Sequence, residues 1–166
     1  IVNSPKPVIA EVNGVATAAG CQLVASCDLA ISSDNAKFAT PGVNIGLFCS
    51  TPMVALSRNV NKKDALRMLL TGDMVNAHEA KRISLINDHV PESELTESVM
   101  KLANKISQKS SKTLETGKKA FYKQYGMDLF DAYEFTSMVM TENTLRNDAK
   151  EGINAFIEKR DPDWGD

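Results

Sequence analysis

Val8-Ile9-Ala10-Glu11-Val12-Asn13-Gly14-Val15-Ala16-Thr17-Ala18-Ala19-Gly20-Cys21-Gln22-Leu23 is the stretch on which the fold turns. Val8 to Val12 is a β-branched run preceded by Pro5 and Pro7 and closed by Asn13-Gly14, as expected of a strand ending in a turn. Val15 to Gly20 reads as a loop of small residues, and from Cys21 to Ser26 the placement of Leu23 and Val24 becomes helical. Leu29 to Ser32 follows as a second buried strand and Ser33-Asp34-Asn35 as a turn. Lys37-Phe38-Ala39 is a short strand stopped by Thr40-Pro41-Gly42. Strand, helix and strand joined by so short a crossover predict an α/β fold of stacked β/α turns, not a wide doubly wound sheet.

Outward from this core the chemistry changes. Residues 1–60 carry only Lys6, Glu11, Asp28, Asp34, Lys37 and Arg58, although the chain holds 19 Lys and Arg and 21 Asp and Glu. The remainder is therefore expected to be amphipathic helices with wet faces. Asn61 caps a predicted helix bearing Ala65, Leu66, Leu69 and Leu70, ended by Thr71-Gly72-Asp73. Asn76 and Glu79 have the spacing of a capping box for a helix through Ile83, and Leu85 to Val90 reads as a strand stopped by Pro91. Leu95, Val99, Leu102, Ala103 and Ile106 share one helical face. Two further helices are predicted near 112–124 and 128–146, and a last one over 149–159 with Ile153, Phe156 and Ile157 as its apolar stripe. Residues 1–90 are thus expected to form the core and 91–166 a helical region that docks on something else.

With 166 residues, 43% of them hydrophobic, the chain can bury one ordinary core. A net charge of −2 offers no electrostatic footprint for nucleic acid or an anionic membrane, and no apolar run approaches the ~20 residues of a membrane span. Cys21, Cys27 and Cys49 include no C-x-x-C pair and lie far in sequence from His78 and His89. That argues against a metal site and for free thiols in a reducing, intracellular compartment. The chain opens at Ile1 directly in core-like sequence, so further chain is expected to precede it.

The loop Val15–Gly20 is the feature with chemical content. Small side chains let a ligand approach the backbone, and the first N–H groups of a helix have no intrahelical acceptor. Such groups can hold an anion or the charge developing on a thioester oxygen. Gly14 and Gly20, with five residues between them, match neither the dinucleotide fingerprint nor the phosphate-binding P-loop. Spacing alone leaves two readings open, an oxyanion site and tight helix–strand packing.

Pro5 to Gly14, then Ala19-Gly20-Cys21-Gln22-Leu23 and Cys27-Asp28-Leu29-Ala30-Ile31, resemble the signature of the enoyl-CoA hydratase/isomerase (crotonase) family. The likeness continues through Phe38-Ala39-Thr40-Pro41-Gly42, Leu70-Thr71-Gly72-Asp73 and Glu151 to Arg160. Segments 17–22 and 38–43 look most like one subgroup of it. The resemblance implies a ββα spiral core, present here in part, with a C-terminal helical trimerisation region. It implies a homotrimer or dimer of trimers, and an acyl-CoA thioester as ligand, with coenzyme A part of the substrate and no separate cofactor. Ala19 falls where the family donates one oxyanion-hole N–H, the other donor coming from chain upstream of Ile1. Phe156 and Lys159 fall where the family contacts CoA. The compartment implied is the mitochondrial matrix in a eukaryote or the cytoplasm in a bacterium.

Two positions depart from the family pattern. The glutamates between which its hydratases hold a water correspond here to Gln22 and Gly42. An amide has no accessible pKa and glycine has no side chain, so neither exchanges a proton. Ser50, near which some members place a carboxylate, remains with Cys49 as a polar pocket group. The resemblance therefore implies a thioester-binding homologue in acyl-CoA metabolism with weak or absent hydration. The alternatives are a catalytically silent binding or regulatory subunit, or a reaction needing only the oxyanion hole.

Overall fold

A computed structural model describes residues 1–165 and divides into two compact units. The first comprises Ile1–Val2 and Val8–Ala103. In it, β1 (Ile9–Val12) turns at Asn13-Gly14 into β2 (Val15–Thr17), followed by α1 (Ala19–Ser26). The pattern then repeats as β3 (Leu29–Ser33), β4 (Lys37–Ala39), a 3-10 turn (Pro41–Ile45) and α2 (Ser50–Asn59). Each first strand pairs in parallel with the first strand of the next turn, Ile9 opposite Leu29 and Val12 opposite Ser32. Each second strand does the same in a different sheet, Val15 opposite Lys37. Two three-stranded sheets result, ordered β1-β3-β6 and β2-β4-β5, with β5 (Val75–Asn76) antiparallel and β6 (Asp88–Val90) parallel. This is the spiral of stacked turns expected from the short crossovers.

The structure differs locally from the expected elements. Val15 to Thr17 is strand rather than loop, because its backbone finds the β4 ladder. The helix after it starts at Ala19, two residues before Cys21. Only Asp88–Val90 of the expected Leu85–Val90 strand pairs; Leu85 and Ile86 are buried in the core instead. The sequence pattern does not reveal α2, which buries only Pro52 and Leu56 and carries its proline in the first turn, where no intrahelical N–H is lost.

The core gathers Phe38, Leu56, Met68, Leu69, Ile83 and Cys21, all less than 2% exposed. α3 (Lys62–Thr71) and α4 (Ala77–Arg82) cover it, each capped as its sequence requires, Asn61 Oδ1 accepting from Asp64 N–H and Asn76 Oδ1 from Glu79 N–H. α3 buries Ala65, Met68 and Leu69, while Leu66 and Leu70 of its expected apolar face are exposed. The Glu79 carboxylate does not complete the capping box. It takes Arg82 Nε at 2.6 Å and Arg67 Nη2 at 2.5 Å, and Arg82 reaches Asp64 at 3.0 Å.

The second unit comprises Asn3–Pro7 and the chain from Asn104 on, with α6 (Ser111–Gln124), α7 (Leu129–Thr144) and α8 (Asn147–Glu158). α5 (Leu95–Ser107) runs from the first unit into the second. Lys118 is buried with its ammonium donating to the Lys6 carbonyl at 3.1 Å. After α8 the chain reverses at Lys159 (φ +55°) and folds back, Arg160 gripping Glu151 at 2.6 and 2.9 Å. Trp164 lies on Gly152 and donates from Nε1 to the Gln108 carbonyl at 2.8 Å. Among the described residues no helix is long and apolar enough to cross a membrane.

Truncation of the fully buried ring by Phe38→Ala is expected to cost about 3–5 kcal/mol in urea unfolding. Hydrogen bonds from Arg82 and then Arg67 lower the Glu79 carboxyl from 4.5 to about 2. A carboxyl depressed on folding contributes stability above its unfolded value and loses it as pH falls through the folded one. Glu79→Gln should therefore flatten the loss of Tm between about pH 4.5 and 2, measured by thermal melts across that window.

Candidate active site

The strand-to-helix corner at Ala18 sets the geometry. Ala18 has φ +48° and ψ −113°, a conformation costly for any residue with a β-carbon. It is held there by its own amide, which donates to the Ala39 carbonyl of the next spiral turn at 3.0 Å. Its carbonyl opens α1 by accepting Gln22 N–H at 3.0 Å. No side chain caps this helix. Ala19, exposed, and Gly20, half-buried, thus begin α1 with amides free of side-chain competitors, in the first turn where the helix dipole is positive. A Cβ on Gly20 would only touch the Ala16 methyl, at 3.9 Å. Packing alone does not demand glycine there.

Gln22, one turn along α1, is half-buried, and its carboxamide has no hydrogen-bond partner among the described residues. Gly42 lies in the 3-10 turn that follows β4, three residues beyond the Ala39 carbonyl that holds Ala18. The common hydrogen-bonded corner thus ties the elements carrying Ala19, Gln22 and Gly42. Gly42 N–H donates to Cys49 Sγ at 3.4 Å, and Leu47 N–H donates to the Gly42 carbonyl at 2.9 Å. The space at Gly42 is filled: a Cβ there would lie 2.5 Å from the Leu47 carbonyl oxygen and 2.9 Å from Cys49 Sγ. Neighbouring Thr40 is fully buried with its hydroxyl oxygen unpartnered.

Ser50 heads α2, exposed, with its hydroxyl 3.3 Å from the Phe48 carbonyl. No base approaches it among the described hydrogen bonds. His89 is instead engaged with Asp34 at 2.5 Å. The three cysteines are free, Cys21 and Cys49 buried. Burial, and then the neighbouring Cys49, push the Cys21 thiol up to about 12, so it stays protonated and inert. Among the described residues no group of three or more His, Cys, Asp or Glu is placed to hold a metal ion. A groove of about 280 Å³ is lined by Arg67, Thr71, Asp73, Asn76 and Glu79 and by none of these residues, its Arg67 and Glu79 already paired. In the second unit Phe156 is 85% exposed and Lys159 is exposed at the left-handed end of α8. Phe156 is therefore not core within this chain, and neither are its stripe partners Ile153 and Ile157.

The sequence profile of the enoyl-CoA hydratase/isomerase family matches residues 1–166. The chain belongs to this family. A crystal structure of enoyl-CoA hydratase from Mycobacterium smegmatis superposes with a TM-score of 0.97 at 48% identity, covering 99% of this chain and 64% of that one. The crystal structure of human enoyl-coenzyme A hydratase domain-containing protein 3 gives 0.96 at 55% identity, covering 99% and 65%. The fold is thus the α/β crotonase fold. The human protein of that name, described as mitochondrial, is 55% identical over 164 residues, 99% of this chain and 54% of its own length. This is the subgroup that segments 17–22 and 38–43 resemble. The chain spans about half the length of the curated relatives it matches.

Of the residues singled out from sequence, the crotonase spiral gathers Ala19, Gln22 and Gly42 on elements joined by one corner. Sequence reasoning missed the strain at Ala18 and the seat that Leu47 and Cys49 form for Gly42. Residue pattern signals neither: the Ala18 corner depends on Ala39, 21 residues on, and the Gly42 seat on how the chain loops back at Leu47 and Cys49. Ala18→Gly should leave stability unchanged or raise it, while Ala18→Val should lower it by about 2 kcal/mol or more, as read from thermal and urea melts.

Proposed function

We propose that this crotonase-family chain serves an acyl-CoA thioester-binding protein of acyl-CoA metabolism, with the Ala19 N–H donating to the thioester carbonyl oxygen. The observation that carries the reading is the uncapped start of α1 behind the strained Ala18, where a backbone donor is held without a competing side chain. A fixed donor of this kind contributes about 10²–10³ in rate when an oxyanion develops, and otherwise holds and polarises a carbonyl. The neutral, unpartnered Gln22 carboxamide is suited to hydrogen-bond the acyl group or an ordered water. It cannot serve as an acid or base.

Hydration of an enoyl thioester needs a proton taken from water and one delivered to the α-carbon. With Gln22 and Gly42 at the two carboxylate positions, each absent group costs about 10²–10⁴-fold. Efficient hydratase activity is therefore not part of the proposed function. What remains is binding, as a silent or regulatory subunit, or a reaction that draws only on the oxyanion hole. The exposure of Phe156 and Lys159 supports their proposed role as CoA contacts. The exposed apolar side chains Leu129, Phe130, Tyr133 and Met140 of α7 support a proposed homotrimer or dimer of trimers. No further cofactor is proposed, and the mitochondrial name of the human relative supports a matrix location in a eukaryotic source.

Calorimetry of the full-length protein with several CoA thioesters should show binding, while crotonyl-CoA turnover stays at least about 10²-fold below that of ordinary hydratases. Turnover at the ordinary rate would overturn the reading. Phe156→Ala should weaken CoA-thioester binding with little change in Tm, because the ring is 85% exposed.

A further inference from the structure

We propose that residue 42 is a specificity-determining position that the fold has closed, so that the second acid–base position cannot be refilled by a side chain. The catalytic meaning of this rests on the thioester-site reading above; the closure itself rests on geometry. A Cβ at Gly42 meets the Leu47 carbonyl oxygen at 2.5 Å and its carbon at 3.3 Å, both backbone, and Cys49 Sγ at 2.9 Å. A flexible side-chain tip could swing aside, but a carbonyl cannot leave without moving its peptide. That peptide is fastened: Leu47 N–H donates to the Gly42 carbonyl at 2.9 Å, so the same residue that would be displaced bonds to residue 42. Cys49, 9% exposed, accepts the Gly42 N–H and stands at the start of α2.

The other side of the 3-10 turn is in contact as well, through a side chain. Asn44 lies over Gly72, the left-handed residue that ends α3 (φ +68°), where a Cβ would come within 3.0 Å of Asn44 Nδ2 and 3.1 Å of Oδ1. Gly46, also left-handed (φ +76°), ends the turn by donating to the Val43 carbonyl. A shift of the segment Pro41–Cys49 as a body would also have to move the Asn44 side chain packed over the α3 terminus. Gln22 has no such constraint, being half-buried with a free carboxamide. The two missing carboxylates are thus unequal: position 22 accepts one by an isosteric exchange, and position 42 accepts none. The site is committed to thioester chemistry that moves no proton from residue 42.

The test uses the full-length protein and the variants Gly42→Ala, Cys49→Ala, Gly42→Ala with Cys49→Ala, Gln22→Glu, and Gln22→Glu with Gly42→Glu. Gly42→Ala is expected to lower Tm by about 4–8 °C or to prevent folding, the cost of overpacking against backbone. Adding Cys49→Ala should recover only part of that loss, since the Leu47 carbonyl stays. Gln22→Glu should keep the parent Tm. Gln22→Glu with Gly42→Glu should gain no more crotonyl-CoA hydration than Gln22→Glu alone. A Gly42→Ala protein with the parent Tm, full recovery on removing Cys49, or a further gain of about 10²-fold or more from Gly42→Glu would overturn the proposal. Calorimetry on the parent separates the two claims: absent thioester binding defeats the proposed function, while the Gly42→Ala melt still decides the closure.

Discussion

One hydrogen bond, from the Ala18 amide to the Ala39 carbonyl, holds together what the candidate site needs. It joins successive turns of the spiral at the corner where strand becomes helix. Because it takes up the Ala18 N–H, the chain can afford a positive φ there, and the next amides begin α1 without a cap. The cost of that corner, about 1–3 kcal/mol for a residue with a β-carbon, is borne by the parallel pairing of β2 with β4 on which it rests. The same carbonyl stands three residues before Gly42, so the two halves of the site share one support.

The 3-10 turn after β4 illustrates how a missing side chain can be a structural requirement. Glycine at position 42 admits the Leu47 carbonyl and the Cys49 thiol, and glycine at position 72 admits Asn44. Each glycine lets a neighbour approach more closely than a β-carbon would permit. The wall they build contains no titratable carboxylate, and the α1 side contributes only an amide and an inert, buried Cys21 thiol. This composition is what the proposed binding role draws on.

The helical unit is organised by different forces. Arg160 grips Glu151 through two nitrogens, Asp163 N–H adds a third bond to the same carboxylate, and Trp164 covers Gly152. Hydrogen bonding from Arg160 and then from the Asp163 amide lowers the Glu151 carboxyl to about 2. The strap fixes the polar side and far end of α8 and leaves its apolar stripe uncovered. A helix whose apolar residues stay exposed is stabilised within its unit by such local bonds rather than by burial of that face.

Much of the architecture was legible in the amino-acid order. The β-branched run before Asn13-Gly14, the caps at Asn61 and Asn76 and the apolar spacing of Leu95 and Val99 each encode a local preference that the structure realises. The family was legible too, in Ala19-Gly20-Cys21-Gln22 and Cys27-Asp28, as was the absence of carboxylates at positions 22 and 42. By itself, then, the sequence determined the order of elements, the family and the groups available to the site. Only the tertiary structure decided that Ala18 is strained, that Gly42 is walled in and that Phe156 faces outward. Periodicity and capping act over a few residues, whereas these three outcomes depend on Ala39, on Leu47 and Cys49, and on which neighbours the apolar stripe of α8 lacks.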